Sequence, residues 1–171
     1  ELIPKTKEGE KVPVPPYPSK TSLVSWQKTL TQSVVATSGI RCYKNVTRWL
    51  SEAWTHGATY EDLADSGGET FVTLDIRLST AMQNMITHAG QDAKYLKDLV
   101  SRKMEEAMKH HEVLKGRQVV YLLLQHFKTF DNSEIVYGFD HLANTVCTEN
   151  KRQPTYAKTC HDVFAQLIHL G

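Results

Sequence analysis

From Leu23 onward the apolar positions fall at helical spacing. Leu23, Trp26, Leu30 and Val34 recur every three or four residues, one stripe on a helix that should stop at Gly39. Val46, Trp49, Leu50 and Ala53 form a second stripe, stopped by Gly57. Thr59 is placed to cap a short turn, YEDLAD, ahead of the breaker Ser66-Gly67-Gly68. Phe71, Leu74, Leu78, Met82 and Met85 predict a long helix ending near Gly90, and Tyr95, Leu96, Leu99, Val100, Met104 and Met108 another ending near Gly116. The segment RQVVYLLLQHFKTF is apolar on most faces. Val119, Val120 and Tyr121 would start a strand, but its length and leucines favour a buried helix. After the turn residues Asp131 to Ser133 and Pro154, a last stripe of Val163, Phe164, Leu167 and Ile168 closes the pattern. No strand-like alternation stands out, so the expected fold class is all-α, a helical bundle. The expected core is Trp26, Leu30, Trp49, Leu50, Phe71, Leu74, Leu78, Leu99, Leu122, Leu123, Phe127, Phe164 and Leu167.

Ahead of the first helix the composition changes. Pro4, Pro13, Pro15, Pro16 and Pro18, five of the chain's six prolines, fall within residues 1–20. Proline fixes φ and donates no backbone hydrogen bond, so this stretch reads as an extended, solvated tail or linker with few contacts to the fold. Its PVPPYP run also has the PxxP spacing of a polyproline ligand, though no flanking arginine orients it. The folded part is expected over residues 21–171.

Composition narrows the classes. The chain has 171 residues, 23% of them charged and 40% hydrophobic, and a formal net charge of +1, so its overall field gives no reason to expect tight binding to nucleic acid or acidic lipid. No window approaches the roughly 18 apolar residues of a membrane span, and residues 1–20 lack the apolar centre of a signal peptide. The three cysteines, Cys42, Cys147 and Cys160, match no zinc pattern. A reducing, cytoplasmic setting without membrane association is expected.

The chemistry-bearing residues do not assemble into a site. His110 and His111 are adjacent on a helix and point about 100° apart, which prevents chelation from one face. Cys160, His161 and His169 lack the one-turn spacing of HExxH. Of Glu61, Asp62, Asp65, Glu69 and Asp75, three lie at expected helix starts, where the helix dipole favours carboxylates without any catalytic role. Cys42 lies beside Arg41 and Lys44, as a reactive thiol would, but has no base near it in sequence, so a buried or incidental cysteine is expected. Asn45-Val46-Thr47 has the form of a glycosylation triplet, but with no secretory signal it reads as a chance triplet on a helix. The expectation is no enzyme, no metal and no cofactor. An enzyme would show instead as a pocket where two or more of His126, His141 and His161 converge with acids.

Between Lys94 and Arg117 lie seven basic residues against four acidic ones. Lys94, Lys97, Arg102, Lys103 and Lys109 are the candidates for weak contact with RNA phosphates. The alternative is a solvated face of i,i+3 and i,i+4 ion pairs, such as Arg102 with Glu105 or Glu106. No aromatic residues interleave these charges as in a base-stacking platform.

Three stretches carry a resemblance: PPYPSKTSLVSWQKTLTQSVVATSG, ATYEDLADSGGETFVTLDIRLSTAMQNMI and LKGRQVVYLLLQHFKTFDNSEIVYGFDHL. Their order and spacing resemble the Gag-like region of copia-type LTR retrotransposons, of the kind abundant in dinoflagellate genomes. The points of likeness are a Pro-rich lead into a helix with central Trp26 and terminal Ser38-Gly39, a phrase from Leu63 to Asp75 and Leu78, then Gly116 to Gln118 and His126 to Thr129. The resemblance covers about residues 15–170 and includes no catalytic fingerprint.

It implies a helical capsid-like protein, of two small lobes, that self-associates into shells around the element's RNA. The lobe division is expected near residues 87–91, or alternatively 130–133. One departure is the zinc knuckle, CxxCxxxxHxxxxC, which follows the capsid region of a full Gag and does not occur here. Val24 on the first helix and Ile168 on the last are the candidate self-association residues. A helical adaptor that binds a partner protein or peptide in a groove is the alternative.

Overall fold

The computed structural model describes residues 7–129. The chain divides into two compact units, residues 1–127 and 128–171, and the first holds the described core. Among the described residues there are five α-helices and no strand. They are α1 (Leu23–Thr37), α2 (Tyr43–Ser51), α3 (Glu69–His88), α4 (Lys94–Lys109) and α5 (residues 116–129). Short 3-10 turns at Glu52–Trp54, Asp62–Ala64 and Gly90–Ala93 link them.

The helical stripes pack as their spacing requires. Trp26, Leu30 and Val34 of α1, Val46, Trp49 and Leu50 of α2, Phe71, Leu74, Leu78 and Met82 of α3, Leu96 and Val100 of α4, and Leu122, Leu123 and Phe127 of α5 are all buried in one core. Leu99 is only partly buried. Phe164 and Leu167 lie outside the described residues. Val119 to Tyr121 are helical, the reading favoured by the segment's length. Thr59 and Asp62 cap one another: the Asp62 N–H donates to Thr59 Oγ1 at 3.2 Å, and Asp62 Oδ2 accepts from Thr59 N–H and Oγ1 at 3.2 and 2.7 Å.

Helix α4 stops earlier than its stripe predicts. It ends at Lys109, and His111 takes the left-handed conformation at φ 57°. The Ala107 carbonyl then accepts from His110 N–H at 3.0 Å and Glu112 N–H at 2.9 Å. Gly116 does not terminate α4; it begins α5. A Cβ there would lie 2.6 Å from Leu78 Cβ and 2.7 Å from the Asp75 carbonyl oxygen. The backbone of α5 thus enters against α3 where no side chain fits.

The N-terminal segment corrects the expectation of a solvated tail. Residues 7–18 are free of helix, as the prolines require, yet they pack onto the fold. Val12 belongs to the core at 4% exposure. Gly9 N–H donates to the Thr37 carbonyl at 2.9 Å, and Arg77 bonds the Gly9 carbonyl and pairs with Glu8 at 3.3 Å. The Tyr17 ring sits 5.9 Å from that of Phe127. Prolines forbid secondary-structure pairing, but Val12, Val14 and Tyr17 between them carry apolar surface that docking removes from water.

Candidate functional site

Arg117 is the centre of a buried polar cluster. Its place in the sequence groups it with basic residues that face solvent; it is 1% exposed. Its backbone N–H donates to Asp75 Oδ1 at 3.0 Å, and its Nε lies 3.8 Å from Asp75 Oδ2. Its guanidinium donates to the Trp49 carbonyl at 3.2 Å, bonds Glu52 and the Asp65 carbonyl, and covers the Trp49 ring at 4.9 Å. The other face of that neighbourhood is closed by Phe71, stacked on Trp49 at 4.9 Å and 6°. Trp49 Nε1 donates to the Ser66 carbonyl at 2.7 Å. Gly67, at φ 78°, brings its Cα within reach of the same indole, where a Cβ would meet Trp49 Cδ1 at 3.3 Å.

This cluster ties α2, the 65–67 loop, α3 and the start of α5 together. Asp75 is fully buried in the middle of α3, away from any helix start, so the helix dipole does not account for it. Burial pushes its carboxyl above the ordinary range, and the backbone N–H and guanidinium of Arg117 partly offset this. Every partner of Arg117 is internal, which makes the cluster a clamp on the fold. Two side-chain bridges extend it. Ser79 Oγ donates to the Leu114 carbonyl at 2.7 Å, and Gln118 Nε2 donates to the Tyr60 carbonyl at 3.2 Å.

The other sequence-derived candidates are spread over the surface. Lys94, Lys97, Arg102 and Lys109 are exposed on α4, interleaved with Asp98, Glu105 and Glu106. Lys103 is half-buried, bonds Glu106 at 2.8 Å and stands 5.1 Å over the Tyr60 ring, so the α4 ion pair forms from Lys103 rather than Arg102. His110 and His111 are both exposed at the end of α4, and Cys42 is exposed as a free thiol. His126 stacks on Tyr95 at 5.6 Å and meets Phe127 edge-on at 5.7 Å. Its pKa is lowered by burial. Among the described residues no group of three or more His, Cys, Asp or Glu side chains is placed to hold a metal ion, and no helix is long and apolar enough to cross a membrane. His141, Cys147, Cys160, His161, Ile168 and His169 lie outside the described residues.

Val24 is 63% exposed on α1. The outer side of α3 presents Glu69, Val72, Thr73, Ile76, Thr80 and Asn84, with one charge, at its first residue. On α1 the exposed residues are Val24, Ser25, Lys28, Thr29, Gln32 and Ala36, with one charge. These two faces contrast with the charged face of α4.

A further feature, which the sequence does not locate, is the seat of the Pro-rich segment. Trp26 Nε1 donates to the Pro15 carbonyl at 3.3 Å. A shallow groove opens between this segment and α1, lined by Pro15, Pro18, Ser22, Ser25, Trp26 and Thr29. The available signal is the PxxP spacing together with a tryptophan eleven residues beyond Pro15.

No family model, curated protein or solved structure matches this chain.

Proposed function

We propose that this chain is a self-associating, capsid-like structural protein of Gag type, belonging to a retroelement or to a domesticated derivative of one. The observation that carries the reading is the pair of nearly uncharged outer faces on α1 and α3, with Val24, Val72 and Ile76 exposed. Burying such a face costs little desolvation, because hydroxyl and amide groups re-form hydrogen bonds across a contact while charges would be stranded. The Gag-like order of phrases along the sequence supports the same reading. Shell lattices use many weak, repeated contacts, so each can bury under ~1,200 Å² and still add up when copies are concentrated. With a net charge of +1, like subunits repel little.

In this reading the clamp around Arg117 keeps each subunit rigid, and no residue acts as a catalyst. RNA contact, if the element packages its transcript through this region, falls to Lys94, Lys97, Arg102, Lys103 and Lys109; their interleaved carboxylates make it weak and salt-sensitive. The setting proposed is cytoplasmic. Introducing charge on α3, Ile76→Asp with Val72→Asp, tests the reading: association in sedimentation should fall while the helical circular dichroism stays unchanged.

A helical adaptor that takes an extended peptide is the second reading. One observation favours it: an extended Pro-rich segment already lies against α1.

A further inference from the structure

Burial along the Pro-rich segment repeats every three residues. Val12 and Pro18 are buried and Pro15 between them is half-buried; Val14 and Tyr17 are half-buried; Pro13 and Pro16 are exposed. Three residues per turn is the period of a polyproline II helix, so one edge of the segment faces the fold and another faces water. The inner edge reads Val-x-x-Pro-x-x-Pro. At its middle, Pro15 offers its carbonyl to the indole N–H of Trp26. An aromatic surface with an indole N–H aimed at a ligand carbonyl is what recognition of such helices requires, since the helix makes no internal hydrogen bonds and its carbonyls stay available.

We infer that the surface formed by α1, Arg77 of α3 and the end of α5 is a binding site for a polyproline II peptide, and that residues 8–18 are its occupant in cis. The same segment of a second copy is its occupant in trans. The recognition elements divide along the segment. Arg77 takes the Glu8 carboxylate and the Gly9 carbonyl, and Thr37 takes the Gly9 N–H. The core takes Val12, Trp26 takes Pro15, and Phe127 takes the Tyr17 ring. Gly9 is required for the close approach, because a Cβ there would lie 2.8 Å from Thr37 Cγ2.

The connection to α1 is suited to release. Ser19, Lys20 and Thr21 are exposed and form a turn held by Ser19 N–H donating to Ser22 Oγ at 2.9 Å. No core residue lies in it, so it serves as a hinge. Exchange between copies replaces each contact by an identical one, which is why swapped segments are a low-cost route to association. A short tether gives the cis segment an effective concentration of roughly millimolar, so exchange becomes significant only where copies are crowded. The exchange rests on the self-association reading; the peptide site does not.

The test uses the full chain with a protease site inserted in the exposed 19–21 turn and cut after folding. A fluorescent peptide of residues 7–19 is the probe, read by anisotropy. The cut chain, freed of its own segment by gel filtration, should bind the probe saturably, and the uncut chain should not. A probe carrying Val12→Asp should bind at least about tenfold more weakly. If release of the segment unfolds the chain, adding the probe should restore the helical signal. A cut chain that neither binds the probe nor refolds with it overturns the site, as does equal binding to cut and uncut chain. Uncut chain at about 1 mM should then displace the bound probe. Displacement by free unlabelled peptide but not by uncut chain at that concentration overturns exchange between copies and leaves the site in cis. Loss of self-association with probe binding intact would instead count against the capsid-like reading alone.

Discussion

Arg117 and Asp75, 42 residues apart in sequence, are joined twice: by a backbone N–H to Oδ1 at 3.0 Å and by a guanidinium Nε 3.8 Å from Oδ2. Both side chains are at most 2% exposed. A buried pair of this kind adds little net stability, but losing one member strands the other charge. Arg117→Met should therefore cost about 3–5 kcal/mol in urea unfolding. Adding Asp75→Asn, which removes the stranded charge while keeping an acceptor for the backbone N–H at position 117, should recover part of the loss. A double variant no more stable than Arg117→Met would show that the charge pair is not what matters.

Gly116 sets how closely α5 approaches α3. Gly116→Ala places a methyl 2.6 Å from Leu78 Cβ, and the Asp75 backbone blocks the other side. Alanine is the better helix former, so propensity alone predicts a gain. Overpacking should outweigh it and cost about 1–3 kcal/mol. A raised melting temperature in this variant would refute the close approach.

Trp26 contributes both area and one hydrogen bond. Trp26→Ala should cost about 3–5 kcal/mol, whereas Trp26→Phe, which keeps most of the ring and drops the bond to Pro15, should cost less. Equal losses in chemical denaturation would mean that the ring packs less tightly than its 4% exposure indicates.

His126 makes stability depend on pH. Burial holds its pKa below the ordinary 6.5, so the folded chain binds the proton less readily than the unfolded chain. Its contribution is complete above the unfolded value and is lost as pH falls through the lower folded value. Measured between pH 7 and 5, unfolding free energy should decline in the parent chain and decline less in His126→Phe, which keeps an aromatic ring against Tyr95 and Phe127. Parallel profiles would exclude His126 as the source.

Periodicity makes the helices legible because each buries one stripe: Leu30, Leu50, Leu74 and Leu78 all reach the core from positions that spacing alone selects. It does not show which polar residues are buried with them. Asp75 and Arg117 sit among carboxylates and basic residues that do face water, and only the fold brings them together. The end of α4 escapes the pattern for a related reason. Gly116 looks like a helix stop, yet its role is steric contact with Leu78, while His111 supplies the left-handed residue usually left to glycine. The Pro-rich segment reads as solvated because its backbone cannot join a sheet; Val12 and Tyr17 dock it by side chain instead. Val24 falls on the exposed side of α1, as expected of a position off the stripe of Trp26 and Leu30.

Self-association through weakly charged helix faces predicts a definite outcome in sedimentation velocity, run across protein concentration at low salt and at about 1 M salt, where charge repulsion is screened beyond roughly 3 Å. A sedimentation coefficient that rises with concentration, and rises further with salt, is the result expected. A strict monomer at every concentration and in both salts would refute the capsid-like reading.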